Sequence, residues 1–240
     1  MERKQLLKVV VFVALATIIS FIFRAFEIHW LEIVRLPYGT YYGMSLLVGI
    51  GPLFSAIICK RLFNEKRSFL SFWGESKIKS IIFLLIPILT VIYIGVINKE
   101  SINAHLFAFK VCFMWLLYII GEELGWRGYL QEVLIPKGND YKRAFIIGLV
   151  WYLWHLSFFY VAYSLIKEVF FVIVLIFGSF IILKVTETTK SLSTAIALHF
   201  SFSVLTNIKL PENSHIPILI MCFCWGILSV FWNRGFLKRI

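Results

Sequence analysis

The chain is poor in charge and lacks the patterns that organise a soluble protein. Charged side chains make up 15% of its 240 residues, whereas 60% are hydrophobic and 18% aromatic. With a mean hydropathy of +0.86, this composition excludes an ordinary soluble globular domain. The four cysteines show no framework spacing, so neither disulfides nor a zinc ribbon is indicated. No linker, low-complexity tract or internal repeat divides the chain, which predicts one membrane domain over residues 1–240.

Long apolar stretches occupy most of the sequence. A helix needs about 20 apolar residues to cross about 30 Å of hydrocarbon. Eight stretches of roughly this length predict an all-α fold, a polytopic integral membrane bundle of about eight transmembrane helices. They lie near residues 6–23, 40–58, 80–97, 106–134, 143–163, 168–184, 191–207 and 215–233.

The net charge of +11 bears on membrane topology. Lys and Arg lie in the connections between the apolar stretches and not on one face, which argues against nucleic acid as a partner. With the amino terminus on the cytoplasmic side, most of the 24 Lys and Arg residues fall in cytoplasmic loops. We therefore expect a multi-pass protein of the cell membrane, surrounded by the lipid bilayer, with both termini cytoplasmic.

Ionisable side chains inside the predicted spans are confined largely to the second half of the chain. At depth, the fourth, fifth and seventh stretches carry Glu122, Glu123, Arg127, His155 and His199. A charged side chain at the centre of a membrane helix costs about 2.5–3.5 kcal/mol on insertion scales, so such residues usually serve a function. The second half of the chain is therefore the expected location of any chemistry.

Helical geometry predicts how these residues meet. Glu123 and Arg127 are four residues apart, with the acid toward the amino end, which favours an ion pair on one helix face. Glu122 points about 100° away from Glu123 and needs a partner from another helix. At ~1.5 Å per residue, Glu122 and His155 both lie about 18 Å from the cytoplasmic ends of their helices. Antiparallel packing would bring them level.

A carboxylate and an imidazole in one desolvated pocket can activate a water molecule, which predicts hydrolysis within the membrane. His199 and, one helical turn later, Ser203 could donate hydrogen bonds to a developing oxyanion. Alternatively, Glu122, His155 and His199 could hold one divalent metal ion such as zinc, although the chain has no HExxH motif.

These residues form three ordered motifs that resemble the CPBP family of intramembrane proteases. The motifs are Glu122-Glu123-x-x-x-Arg127, Trp151-x-x-x-His155 and His199-x-x-x-Ser203. The family includes the type II CAAX prenyl endopeptidases and bacterial relatives in bacteriocin processing or immunity. The resemblance covers roughly residues 105–207, the expected catalytic core. Family members are called metalloproteases, and a metal-free glutamate mechanism is also argued.

The resemblance implies a role for each site residue. Glu122 would be the water-activating base, assisted by His155. Glu123 and Arg127 would shape and brace the site, and His199 would stabilise the oxyanion or bind metal.

Two positions depart from the family pattern. Trp151 stands where phenylalanine is usual, and Ser203 where asparagine or aspartate is usual. A serine hydroxyl is a single donor on a short arm, and losing one oxyanion donor can lower the rate by a factor of about 10² to 10³. The predicted function is endopeptidase action on a membrane-associated peptide or protein. A non-catalytic immunity or scaffold protein and an ion-coupled transporter are the alternatives.

Overall fold

The structure, a computed structural model, describes residues 3–34, 41–65, 68–99, 101–134, 139–156 and 164–232, and within these ranges it omits the side chains of 26–34, 41–47 and 230–231. In the part described, the chain forms eight long helices and no β-strand, which confirms the all-α fold class. The helices are α1 (Arg3–Val34), α2 (Tyr41–Leu62), α3 (Lys77–Ile94), α4 (Ala104–Gly125), α5 (Asp140–Leu156), α6 (Leu165–Thr189), α7 (Leu192–Asn207) and α8 (His215–Trp232).

Four segments are long and apolar enough to cross a membrane: Arg3–Ala25, Lys77–Ile94, Ala104–Leu134 and Leu165–Thr189. They confirm a multi-pass membrane protein. Eight spans are not confirmed, because α5 and α7 have only 17 and 16 residues, and a 16-residue helix rises only about 24 Å. Parts of the predicted second, fifth and eighth spans lie outside the described residues. The count of eight and the cytoplasmic placement of both termini stay predictions.

Helix α7 is the most enclosed helix of the bundle and packs against α3, α4 and α6. Eleven of its 16 residues are buried, including His199 and Ser203. Its first two turns consist largely of small residues, among them Ser193, Ala195 and Ala197. Such residues let helix backbones approach closely, since lipid supplies no hydrophobic force that would press the helices together.

The contact between α4 and α2 turns the acidic residues of α4 toward the interior. A Cβ atom on Gly121 would lie 2.5 Å from the Gly49 carbonyl oxygen, and one on Gly125 would lie 2.4 Å from the Pro52 Cβ. Only glycine fits these two positions, so one face of α4 lies directly on α2. The neighbouring residues Glu122 and Glu123 are directed away from that contact.

Helix α4 continues into an unusual segment. Residues Trp126–Gln131 form a π-helix, and one α-helical turn, Glu132–Leu134, follows it. All six residues of the π-helix are buried. The sequence predicted a regular helix through residues 106–134, and the structure differs from that prediction in having this wider π-helical turn. Such π segments occur often at functional sites, and this one directly follows Glu122 and Glu123.

The connection between α2 and α3 docks at the start of α7. The Ser71 carbonyl accepts a hydrogen bond of 3.0 Å from the Leu192 backbone N–H, and the Ser71 N–H donates one of 3.0 Å to the Lys190 carbonyl. The Glu132 carboxylate accepts a further bond of 2.9 Å from the Leu70 N–H. These bonds hold the first turn of α7, and with it the depth of His199, against the end of the α4 segment.

Candidate active site

Three helices supply the predicted site residues. Glu122 and Glu123 from α4 and Arg127 from the π-helix are fully buried, with no exposed surface. His199 from α7 is almost fully buried, and His155 from α5 is half-buried. Because charged groups are held away from both water and lipid headgroups, their partners decide what they can do.

Glu123 is shared between a guanidinium and an imidazole. Its Oε2 lies 3.3 Å from Arg127 Nε, an ion pair at the spacing that the sequence predicted. Its Oε1 accepts a hydrogen bond of 2.9 Å from His199 Nδ1. Since a carboxylate can only accept, His199 carries the proton on Nδ1, and its Nε2 donates only when the ring is an imidazolium. Glu123 therefore stabilises positive charge on His199.

Arg127 is incompletely paired. Among the described residues, neither of its terminal nitrogens has a hydrogen-bond partner, and both are buried. Its guanidinium carbon lies 4.9 Å from the centroid of the Trp151 ring, a cation–π contact. A buried arginine normally uses its five donors, so these two nitrogens leave the cluster with unused hydrogen-bonding capacity.

Glu122 has neutral partners. Its Oε2 accepts hydrogen bonds from two indole N–H groups, that of Trp151 at 2.9 Å and that of Trp126 at 3.2 Å. Its Oε1 is buried and has no hydrogen-bond partner in the described part of the protein. Because neutral donors orient a carboxylate without cancelling its charge, Glu122 retains a negative oxygen with open lone pairs.

His155 lies beside this carboxylate. Its Nδ1 donates a hydrogen bond of 2.8 Å to the Trp151 carbonyl, one turn earlier on α5. In the neutral ring, Nε2 is then the acceptor. The imidazole is close enough to interact electrostatically with Glu122 and with His199. The structure thus brings the acid of α4 and the histidines of α5 and α7 into one neighbourhood.

Ser203 is on the same helix as His199 but stands apart from the hydrogen-bonded cluster. It is buried, and its backbone carbonyl accepts a bond of 2.9 Å from Asn207 Nδ2. Within the described residues, no hydrogen bond joins its hydroxyl to the other predicted site residues. Its part in the site, like the catalytic part of every residue named above, remains a prediction.

A metal ion does not fit the donors as they are arranged. In the described ranges, no group of three or more His, Cys, Asp or Glu side chains is placed to hold one. The alternative set of Glu122, His155 and His199 therefore supports no metal-dependent step.

Two tryptophans donate hydrogen bonds to Glu122, and the sequence did not reveal this pairing. Trp126 lies four residues after Glu122, and Trp151 lies four residues before His155. Each spacing places the tryptophan on the same helix face as a predicted site residue. This spacing was the signal in the sequence that could have indicated the two tryptophans. The sequence suggested tryptophans near the site, but it did not show that two of them donate to one carboxylate oxygen.

The fold and the cluster define a class: a multi-pass helical membrane protein with a buried acid–imidazole site. Residues 104–205 match the family described as type II CAAX prenyl endopeptidase Rce1-like. A curated relative, CAAX prenyl protease 2 of Methanococcus maripaludis, is 28% identical over 195 residues, covering 67% of this chain and 72% of that protein. Both matches support the CPBP resemblance, and at the level of that family they support an intramembrane endopeptidase.

Proposed function

We propose that this chain hydrolyses a peptide bond of a membrane-associated peptide or protein by means of a water molecule that Glu122 activates. One observation supports this proposal most strongly: Glu122 Oε1 is buried and unpartnered beside an Oε2 that two indoles hold in place. A fixed carboxylate with one open oxygen in a site poor in water is suited to be a general base.

In the proposed reaction, Glu122 Oε1 accepts a proton as the water oxygen attacks the carbonyl carbon of the peptide. A tetrahedral intermediate forms, and its oxygen carries the negative charge. The proton then passes to the peptide nitrogen, the carbon–nitrogen bond breaks, and a carboxylic acid and an amine leave. His155, whose Nε2 is an acceptor, assists by interacting with the same proton.

The oxyanion needs donors, and α7 supplies them in this proposal. As an imidazolium, His199 donates from Nε2 while Nδ1 remains bound to Glu123. The formal charges then balance, because the two carboxylates face one guanidinium and one imidazolium. Ser203, one turn further on α7, is proposed as the second donor. Its short hydroxyl is expected to give less stabilisation than an amide in the same place.

The proposed substrate follows from the comparisons. The family description and the name of the relative both refer to CAAX prenyl proteolysis. We therefore propose a peptide with a prenylated CAAX terminus as the first substrate to test. A membrane-tethered peptide without a prenyl group, such as a bacteriocin precursor, is the second substrate class.

The decisive test uses a farnesylated, internally quenched CAAX peptide with the purified protein in liposomes. Glu122→Gln should reduce cleavage by about 10²- to 10⁴-fold, the usual contribution of a general base. Glu212→Gln, a change of an exposed acid outside the site, should cleave like the wild type. The same peptide without the prenyl group, run in parallel, distinguishes the two substrate classes.

Cleavage by Glu122→Gln at the wild-type rate would contradict the proposal. A wild-type protein that cleaves neither peptide, but protects cells even with both Glu122→Gln and His155→Ala, would establish the immunity or scaffold alternative. Solute transport without any hydrolysis would establish the transporter alternative.

We further propose that the reaction needs no resident metal ion, since no group of three or more His, Cys, Asp or Glu side chains in the described part of the chain is placed to hold one. Treatment with 1,10-phenanthroline or EDTA, followed by dialysis, should leave the cleavage rate unchanged. Loss of activity on chelation, with recovery on addition of zinc, would contradict this part of the proposal.

A further inference from the structure

Trp151 contacts four of the residues assigned to the site. Its indole N–H donates to Glu122 Oε2 at 2.9 Å, and its ring lies under the Arg127 guanidinium at 4.9 Å. The His199 ring meets it edge to face, with centroids 4.8 Å apart at 84°, and the His155 ring lies 5.8 Å away. Trp151 is 4% exposed.

The contact with Glu122 determines which carboxylate oxygen is open. An indole N–H can donate but cannot accept, so it cannot take a proton from water or exchange roles with the base. Trp126 and Trp151 both donate to Oε2, whereas Oε1 has no partner among the described residues. The carboxylate is thus restrained in rotation, with one oxygen bound and the other presented to the site.

The contact with Arg127 concerns charge. The Trp151 ring covers the guanidinium with its face, while its N–H edge is directed at Glu122. This arrangement lets Arg127 form its ion pair with Glu123, at 3.3 Å, and leaves the Glu122 carboxylate with neutral donors. If Arg127 bound Glu122 directly, it would neutralise the oxygen that must accept a proton.

We infer that Trp151 is a positioning residue of this site, which fixes the Glu122 carboxylate through its indole N–H and keeps Oε1 open for water. This inference rests on the proposed function of Glu122. It deepens that function, because a phenylalanine at position 151 could fill the same space but could not donate.

Trp154 is a matched control in the same helix. It is fully buried, its ring packs against His155 and Trp126, and its indole N–H donates to Ser20 Oγ at 3.1 Å. Trp151→Phe and Trp154→Phe each remove one buried indole hydrogen bond and keep an aromatic ring. A purely structural role for Trp151 therefore predicts the same effect for both variants.

The first experiment measures kcat and KM for the farnesylated CAAX peptide. Trp151→Phe should lower kcat by about 10- to 100-fold with KM unchanged, as expected when a group that orients a catalytic residue is lost. Trp126→Phe should lower kcat in the same way, and Trp154→Phe should retain the wild-type kcat. An equal kcat for Trp151→Phe and Trp154→Phe would overturn the inference while leaving the proposed function intact.

The second experiment does not depend on activity. In protein labelled with ¹⁵N-tryptophan, the indole N–H resonances of Trp126 and Trp151 should shift on Glu122→Gln, because their acceptor changes from a charged to a neutral oxygen. The Trp154 resonance should remain in place. An unchanged Trp151 resonance would overturn the inference, even for a protein that cleaves neither peptide.

Discussion

Two clusters of acidic and basic side chains in this protein have opposite designs. The first joins the start of α5 to the end of α6. Asp140 accepts a hydrogen bond of 2.6 Å from Lys184 and lies 3.3 Å from Arg143, which also pairs with Glu187. Each acid faces a cation, and most of the cluster is in contact with solvent. Such pairs hold neighbouring helices together at modest gain, since water competes for the charges of Asp140, Lys184 and Glu187.

The second cluster is the candidate active site, and its two acids and its arginine are fully buried. Glu123 pairs with Arg127 and His199, whereas Glu122 Oε1 and both terminal nitrogens of Arg127 have no hydrogen-bond partners in the described structure. Leaving buried polar atoms unpaired costs about 1–3 kcal/mol each. The comparison shows that the unpaired atoms of the buried cluster lower the stability of the fold. A requirement to bind water or substrate explains these unpaired atoms better than helix packing does.

The largest expected effect on stability concerns Glu123. Glu123→Gln leaves the buried Arg127 guanidinium without its ion-pair partner, so the free energy of unfolding should fall by about 3–5 kcal/mol. Thermal unfolding in detergent micelles measures this change. Glu122→Gln is the control, because its carboxylate has no cationic hydrogen-bond partner, and its melting temperature should stay close to that of the wild type.

A double variant sharpens the same contrast. Glu123→Gln with Arg127→Met removes both charges, so most of the lost stability should return, whereas peptide cleavage should not. A double variant as unstable as Glu123→Gln alone would show that the ion pair is not the source of the stability, and the description of Glu123 as the paired member of the site would be wrong.

The smallest effect is expected in the solvent-exposed cluster. The hydrogen bond from Lys184 lowers the pKa of Asp140, and the charge of Arg143 acts in the same direction. A lowered carboxyl pKa stabilises the folded protein at pH values above the unfolded pKa of about 3.9, and this contribution is lost as the pH falls through the folded pKa. Asp140→Asn should therefore lower the melting temperature slightly at pH 7 and hardly at all near pH 3.

Melting curves of the wild type and Asp140→Asn between these pH values provide the check. Glu212→Gln, an exposed acid outside the cluster, serves as the control and should show no such pH-dependent difference. If the Asp140→Asn difference instead grew toward low pH, the sign of the interaction would be opposite to the one described.

Local rules were sufficient for some features of the site. The Glu123–Arg127 ion pair could be predicted because residues four apart share a helix face, whatever surrounds the helix. The three motifs indicated the CPBP resemblance. The partners of Glu122 and His199 could not be predicted in this way, since the relative rotation of α4, α5 and α7 decides whether an indole or an imidazole reaches each carboxylate. The π-helix after Gly125 was also not predicted, because hydrophobic spacing alone does not reveal a change in helical pitch.

The sequence by itself determined that this is a helical membrane protein whose ionisable side chains at membrane depth lie largely in its second half, because composition and the cost of charge in lipid hold for any packing of the helices. Only the tertiary structure decided that His199 serves Glu123, that two tryptophans hold Glu122, and that one oxygen of Glu122 stays open. Those pairings depend on ångström-scale distances between different helices, and such distances arise only when the helices are packed together.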